Sequence, residues 1–476
     1  MRGRATLSAL ALAATCLTAL SSPAHGSAAA DHPPRAAGAD FNLDGHPDVV
    51  TGIPDNADGE DEPGPSPGAV KIIYGGDLGD VYITQDSPGV PDVSEPRDRF
   101  GHTVAVWYSP YSQYPYLVVG APGESVGSAT WAGQITVFPG GPEGVSLAGY
   151  TVNQDSPDVP GVAEAGDLFG WSLASGRSDP DRHEILAVGA PGEDDNATDS
   201  GSVTLLGGAR PKVVHQDTPG IGGEQENGDQ FGWSLAAQRD LIVVGVPYES
   251  IASTTGAGLV QVLTVRPSGA SDPDWPRPRP VADIDQGKAG VSGVPEAGDH
   301  FGWSVAITFG EAGEGYDLAI GVPDESIGVD EQAGMVHAFD LEYPSPGWAQ
   351  RVSVNQDSPG VPGQTETGDR FGSSVNAVHT SWGVVVHTVG SDGEFRDGEV
   401  GSRHGVHVLS RELDGAVWVR SGLYGIPSDE LLRTVHLNGG ETHLYVASSS
   451  PDRVIGVPWG NILYGGDEPV VVYGWP

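Results

Sequence analysis

The dipeptide Phe-Gly recurs at Phe100, Phe169, Phe231, Phe301 and Phe371, at intervals of 69, 62, 70 and 70 residues. A short motif returning at a nearly constant spacing means repeated supersecondary units, a constraint that precedes every other reading of the chain. Each Phe stands fifteen residues after a glutamine (Gln85, Gln154, Gln216, Gln286, Gln356). A glutamate lies five residues before it (Glu95, Glu164, Glu226, Glu296, Glu366) and an aspartate two before it (Asp98, Asp167, Asp229, Asp299, Asp369). Downstream of four of them a Val- or Ile-rich run ends in Gly-x-Pro, at Gly120, Gly189, Gly245 and Gly321. A degraded copy follows the fifth Phe at Val389 to Asp392, an extra copy precedes the first at Val49 to Pro54, and Leu444 to Ser448 supplies a last. These make seven strand-and-turn units.

Within a unit, short runs of Val, Ile and Thr alternate with clusters of Gly, Pro, Asp and Ser, and no stretch has helical periodicity. In the second unit strands are expected over Thr103 to Trp107, Tyr116 to Gly120, Gly133 to Phe138 and near Tyr150 to Asn153. Four short strands per unit predict an all-β chain, a seven-bladed β-propeller of four-stranded antiparallel blades, because an open stack would leave unpaired edges at both ends. The first unit lacks a Phe-Gly strand and the C-terminus carries a spare run, Pro469 to Tyr473. The ring is therefore expected to close by pairing of the N- and C-terminal segments.

Residues 1–30 read as a signal peptide, with Arg2 and Arg4, an apolar run from Leu7 to Leu20 and then small residues. The propeller then occupies 31–476, and the protein is expected to be secreted. The single cysteine, Cys16, lies in the leader, which removes disulfides, catalytic cysteine and zinc-thiolate sites from consideration. No later stretch reaches the ~18 to 20 consecutive apolar residues of a membrane span, so membrane insertion is not expected. A formal net charge of −41 at pH 7 repels nucleic acid and anionic lipid and favours metal cations as partners.

The pairing of Phe-Gly with Gly-Ala-Pro, as in Phe100-Gly101 with Gly120-Ala121-Pro122 and Phe169-Gly170 with Gly189-Ala190-Pro191, resembles the FG-GAP repeat of the integrin α-subunit head. The resemblance covers nearly all of 31–476 and implies a seven-bladed propeller with calcium bound in loops on one face. One stretch carries calcium chemistry by itself: Asp40-Phe41-Asn42-Leu43-Asp44-Gly45-His46-Pro47-Asp48. Calcium takes about six to eight oxygen ligands, so it suits carboxylates at alternating positions on a curled loop. Asp40, Asn42, Asp44 and Asp48 would bind through side-chain oxygens and His46 through its carbonyl. Thr51 stands where an EF-hand needs glutamate. An ordinary Asp-Asn-Gly turn is the alternative. Weaker echoes at Asp179, Asp181 and Glu184, and at Glu311, Glu314 and Asp317, are expected to be solvated acidic turns.

The repeated aspartate before Phe-Gly is expected to cap the turn that delivers the Phe, and Trp171, Trp233 and Trp303 just after it to pack between blades. A nucleophile-elbow string, Gly123-Glu124-Ser125-Val126-Gly127, lacks the strand-turn-helix setting that such a serine needs. The histidines show no metal-ligand pattern beyond the pair His404 and His407. The chain is therefore expected not to be an enzyme. It is read as a monomeric, calcium-stabilised extracellular scaffold for binding or adhesion to a protein or polysaccharide ligand. An extracellular hydrolase with a site on propeller loops, and a structural cell-surface component, are the alternatives.

Overall fold

Short β-favouring runs cut by Gly and Pro clusters cannot extend into helices, and every element of regular structure in the described residues is a strand. The computed structural model describes residues 39–391 apart from 55–66, 110–111, 179–182, 209, 266–274, 311–314, 344–346 and 381–384. Beyond 391 it describes the strands at 406–410, 416–419, 432–433, 443–448, 454–458 and 471–473. The expected signal peptide lies outside the described residues.

The first sheet holds β1 (Val49–Ile53), β2 (Ala69–Ile73) and β3 (Asp80–Ile83). The second holds β4 (Thr103–Trp107), β5 (Tyr116–Ala121), β6 (Gln134–Pro139) and β7 (Tyr150–Val152). The third holds β8 (Ser172–Ser178), β9 (His183–Ala190), β10 (Ser202–Leu206) and β11 (Lys212–Val214), and the fourth β12 (Ser234–Gln238), β13 (Leu241–Val246), β14 (Leu259–Thr264) and β15 (Arg279–Ile284). The fifth holds β16 (Ser304–Phe309), β17 (Tyr316–Val322), β18 (Met335–Glu342) and β19 (Gly347–Val354), and the sixth β20 (Phe371–His379), β21 (Val385–Ser391), β22 (Val406–Ser410) and β23 (Ala416–Val419). β24 (Leu432–Arg433), β25 (His443–Ser448), β26 (Val454–Pro458) and β27 (Val471–Tyr473) form the last. All pairings are antiparallel between consecutive strands, and the fold is an all-β propeller.

Two expectations are corrected. Among the described residues there are six four-stranded blades instead of seven, preceded by a sheet of three strands. The C-terminal run does not complete that first sheet: β27 pairs with β26, Val454 opposite Tyr473 and Gly456 opposite Val471. The last unit already has three strands of its own, so the terminal run is its fourth, and antiparallel pairing with the preceding strand needs only a short return.

The second strands β5, β13, β17 and β21 are buried almost throughout because a neighbouring sheet covers each face. The apolar core is consequently cut into slabs between successive sheets. One slab joins Leu241, Val243, Val260 and Val262 of the fourth sheet to Val305, Leu318 and Ile320 of the fifth, with Phe301 between them.

The repeated motifs are what lock one sheet to the next. Phe100, Phe169, Phe231, Phe301 and Phe371 are fully buried, each worth about 2 to 3 kcal/mol of apolar transfer. The amide of Phe169 donates to the Ala132 carbonyl of the preceding sheet at 2.8 Å, as Phe301 does to Ala257 and Phe371 to Ala333 at 2.9 Å. The next residue along the acceptor strand is a glycine in the left-handed region, such as Gly133 at φ 84°, and a Cβ there would fall on the Phe backbone. The Gly of each Gly-x-Pro faces the carbonyl oxygen of the next sheet's Phe-Gly glycine. Thus Gly120 abuts Gly170, Gly189 abuts Gly232, Gly245 abuts Gly302 and Gly321 abuts Gly372. Gly52 abuts Gly101 in the same way, which aligns β1 with the second strands of the other sheets, so that among the described residues the first sheet has no innermost strand.

Gly189→Ala is expected to lower unfolding stability by about 2 kcal/mol or more in urea titration, because neither the Gly232 carbonyl nor the backbone beneath it can move aside. Gly141→Ala, whose Cβ would meet nothing nearer than 3.7 Å, is expected to change it by less than about 0.5 kcal/mol.

Candidate functional site

The residue two places after each of the first four repeated Phe immediately precedes the innermost strand of its sheet, and successive inner strands β4, β8, β12 and β16 lie side by side. This brings His102, Trp171, Trp233 and Trp303 into a row. Ring centroids are 4.4 Å apart for His102 and Trp171, and 4.8 Å for both Trp171 with Trp233 and Trp233 with Trp303. The rings pack from blade to blade, as expected, but remain half-buried and leave a partly open aromatic strip. Arg99 lies over Trp171 at 5.6 Å and Arg370 over Trp303 at 4.9 Å, cation-π contacts that put a guanidinium at each end.

At the Trp303 end the repeat positions are filled differently. His300 occupies the place before the Phe, where the other units have Arg99, Leu168, Gln230 and Arg370, all five in the left-handed region at φ 55° to 59°. Asp324 follows Gly-x-Pro, where the others have Gly123, Gly192 and Tyr248. His300 Nδ1 and Asp324 Oδ2 are 2.7 Å apart. Arg370 Nε donates to Asp324 Oδ1 at 3.0 Å and Gln332 Nε2 to the same oxygen at 3.2 Å. Burial alone would raise the Asp324 carboxyl, but the His300 hydrogen bond and the Arg370 charge hold it below the usual range. Tyr248 stands 4.6 Å from the His300 ring, and burial pushes its phenol up. An ionised aspartate keeps a proton on Nδ1 and leaves Nε2 with its lone pair, the arrangement of an oriented general base. Reading each histidine only for metal spacing missed this pair, because the partners are 24 residues apart in the chain. The available signal was that both stand where the unit departs from its siblings.

The Asp40 loop folds as a tight curl before β1. Asp40 accepts the amides of Asp44 and Gly45, each at 3.1 Å, and Asp44 Oδ1 accepts that of His46 at 2.8 Å. Asn42 Nδ2 donates to Asp44 Oδ2 at 2.9 Å. Asp48 accepts the amides of Phe41 at 2.7 Å and Gly75 at 3.0 Å. Leu43 and Gly45, at φ 56° and 87°, make the bend. Gly76 leaves no room for a Cβ against Asp44 Oδ2. Burial, with smaller additions from Asp40 and Asp44, pushes Asp48 up to about 6 against its two amide bonds, whereas hydrogen bonds from Asn42 and His46 hold Asp44 down. The loop therefore holds Asp40, Asn42, Asp44 and Asp48 on one curl through hydrogen bonds, and their oxygens are of the kind calcium takes, but Asp40, Asp44 and Asp48 do not bring carboxylate oxygens within 4.8 Å of one another.

The recurring acids are structural, as expected. Asp98, Asp167, Asp229, Asp299 and Asp369 each accept the amide of the Glu three residues earlier, at 2.5 to 2.6 Å. A second recurring acid went unrecognised: Glu124, Glu193, Glu249 and Glu325, shortly after Gly-x-Pro, are buried and accept the side-chain amides of Gln85, Gln154, Gln216 and Gln286. Burial pushes Glu124 and Glu193 up to about 8, and Glu249 and Glu325 to about 7.

Of the two weaker acidic echoes, Asp179, Asp181, Glu311 and Glu314 lie outside the described residues. Glu184 is buried in β9, and Asp317 is fully buried in β17, 2.7 Å from Arg351 Nη2 and 2.6 Å from His387 Nε2. Neither is a solvated turn. Of the expected histidine pair, His404 is outside the described residues and His407 is buried in β22, its Nε2 3.0 Å from the Pro362 carbonyl oxygen. Ser125 of the elbow string precedes a tight turn closed by Val126 and Ala129, with no helix behind it.

No protein-family profile matches the chain. It is 30% identical over 230 residues to phosphatidylinositol-glycan-specific phospholipase D of Rattus norvegicus, covering 44% of this chain and 26% of that protein. The Homo sapiens protein of the same name is 29% identical over 236 residues, covering 46% and 26%. The chain thus spans about a quarter of the length of these relatives. Among solved structures, the periplasmic gluconolactonase of Pseudomonas aeruginosa aligns at 13% identity and a TM-score of 0.44, covering 90% of this chain and all of that one. The match to relatives named as phospholipases overturns the expectation of a non-enzyme.

The buried glutamates make stability depend on pH with a definite sign. Glu193 has an ordinary value of 4.5 and a folded value of about 8, so the folded chain keeps a proton that the unfolded chain has already lost. Its contribution is complete below the unfolded value and is lost as pH rises through the folded one. In chelator-treated protein the urea midpoint is expected to fall between about pH 5 and about pH 9, and Glu193→Gln, neutral throughout, to make that fall shallower.

Proposed function

We propose that the chain is an extracellular hydrolase that holds an ester or phosphodiester substrate against the aromatic row and activates water with His300. The observation that carries this reading is the 2.7 Å pairing of His300 with a buried, ionised Asp324 at the end of a half-open tryptophan strip. Nε2 of His300 takes the proton of the attacking water, Asp324 stabilises the imidazolium, and the protonated Tyr248 phenol gives a proton to the leaving oxygen. The faces of Trp171, Trp233 and Trp303 suit ring-bearing, sugar-like groups, and Arg99 and Arg370 offer local positive charge in an otherwise acidic protein. The names of the phospholipase D relatives, which join a glycan to a phosphodiester, support the same substrate class. The extracellular setting rests on the leader at 1–30, and the interlocking Phe-Gly and Gly-x-Pro glycines support reading the units as FG-GAP repeats. In this reading Asp40, Asn42, Asp44 and Asp48, with the His46 carbonyl, hold a structural calcium ion that anchors the start of β1.

Purified protein is expected to hydrolyse nitrophenyl esters or phosphodiesters, with His300→Ala lowering kcat/KM by about 100-fold or more and Asp324→Asn by a comparable factor. Trp233→Ala is expected to act chiefly on KM. Wild-type turnover that survives His300→Ala unchanged would falsify the assignment. Thermal melts with and without calcium chloride test the loop: the ion is expected to raise the midpoint of the wild type, and Asp44→Ala to remove part of that rise.

A further inference from the structure

Two places before the glycine that abuts each repeated Phe, four units share one backbone conformation. Trp131, Asp199, Gly256 and Gln332 all lie in the left-handed region, at φ 50° to 65°. Their carbonyls accept the amides of Leu168, Gln230, His300 and Arg370, respectively, at 2.9 to 3.1 Å. Each donor is the residue just before the next repeated Phe. The four places are therefore equivalent, and of the four Gly256 alone carries no side chain.

The fold does not demand a glycine there. Three siblings hold the same left-handed turn with tryptophan, aspartate and glutamine. A Cβ on Gly256 would also clash with nothing, its nearest neighbours being Gly298 Cα and His300 Nε2, each at 3.7 Å. What the missing side chain leaves is space at His300 Nε2. Nδ1 of that ring is engaged by Asp324, whereas Nε2 has no hydrogen-bond partner among the described residues. The next unit shows the course a longer side chain takes. Gln332 sends its amide to Asp324 at 3.2 Å, and Asp324 stands at the repeat position that Tyr248 holds beside Gly256. Gly256→Gln would send its amide along the same course, past His300 toward Tyr248, whose ring centroid is 4.6 Å from that of His300.

We propose that Gly256 is a positioning residue of the His300 site: by omitting the side chain of its siblings, it leaves open the space at Nε2 where water and the scissile ester or phosphodiester group meet the base. This role rests on the hydrolase reading above. A general base must come within hydrogen-bond reach of the water it deprotonates, so filling that space removes the base without touching its chemistry. The unit that gained His300 and Asp324 is thus also the one whose neighbour gave up a side chain.

The test compares wild type, Gly256→Gln and Gly256→Ala as full chains, with diethyl pyrocarbonate as the probe. The reagent acylates a ring nitrogen that carries a free lone pair, and peptide mass spectrometry reads the rate at each histidine. His300 carbethoxylation is expected to slow about tenfold or more in Gly256→Gln, because Nε2 is the ring nitrogen with its lone pair free. The exposed His46 is expected to react as in the wild type. Gly256→Ala bears the same left-handed strain with a single carbon, and is expected to slow His300 less. Turnover of nitrophenyl esters or phosphodiesters is expected to fall with the His300 rate, and His300→Ala added to Gly256→Gln to cost little more, since both changes disable one group. Equal His300 rates in wild type and Gly256→Gln would overturn the proposal, as would a wild-type His300 that does not react. A loss as large in Gly256→Ala as in Gly256→Gln would also overturn it, because strain and not length would then be the cause. A wild type that turns over none of these substrates, yet whose His300 is shielded in Gly256→Gln, would sink the hydrolase reading while access through Gly256 stood.

Discussion

The structure depends on a contact with no side chains in it: a glycine of one sheet pressed against a glycine carbonyl of the next. Gly120 against Gly170, Gly189 against Gly232, Gly245 against Gly302 and Gly321 against Gly372 set how closely consecutive sheets approach. That spacing decides whether the intervening slab of Val, Leu and Ile is filled or left with voids, and dense packing is what makes apolar burial stabilising. The buried Phe beside each contact adds a hydrogen bond to the preceding sheet and so fixes its rotation as well as its distance. The two motifs recur in step because each is half of the same joint.

With the inner strands held side by side, two consequences follow from geometry alone. Residues just after each Phe are stacked into a row, which aligns three tryptophans that are 62 and 70 residues apart in the chain. Carboxylates from the loop before each Phe and from the turn after Gly-x-Pro meet beneath the joint, where burial opposes their ionisation. The chain meets that cost with neutral amide donors from Gln85, Gln154, Gln216 and Gln286, each of which serves a carboxylate whether or not it is charged.

The candidate site lies where the repeats disagree. His300 and Asp324 stand at two different repeat positions of one unit, and Arg370, in the place of His300 in the next unit, joins them because adjacent sheets lie side by side. A repeated framework tolerates such replacements because glycine-to-glycine joints and buried Phe carry the stability, leaving the loops around them free to vary.

The amino-acid sequence by itself determined the strand class, the repeat boundaries, the four strands of the second unit and the Asp40 curl, since each follows from local propensity, turn chemistry or a spacing within one loop. It also identified the capping aspartates, whose partners are three residues away. What only the tertiary structure decided involves partners far apart: β27 joining β26 rather than the first sheet, Asp317 buried against Arg351 and His387, His300 paired with Asp324, and Gln85 amid the carboxylates of the first junction. A single chain read in order records which residues are present at each repeat position, but the distance between two such positions is set by how closely the glycine joints let the sheets approach.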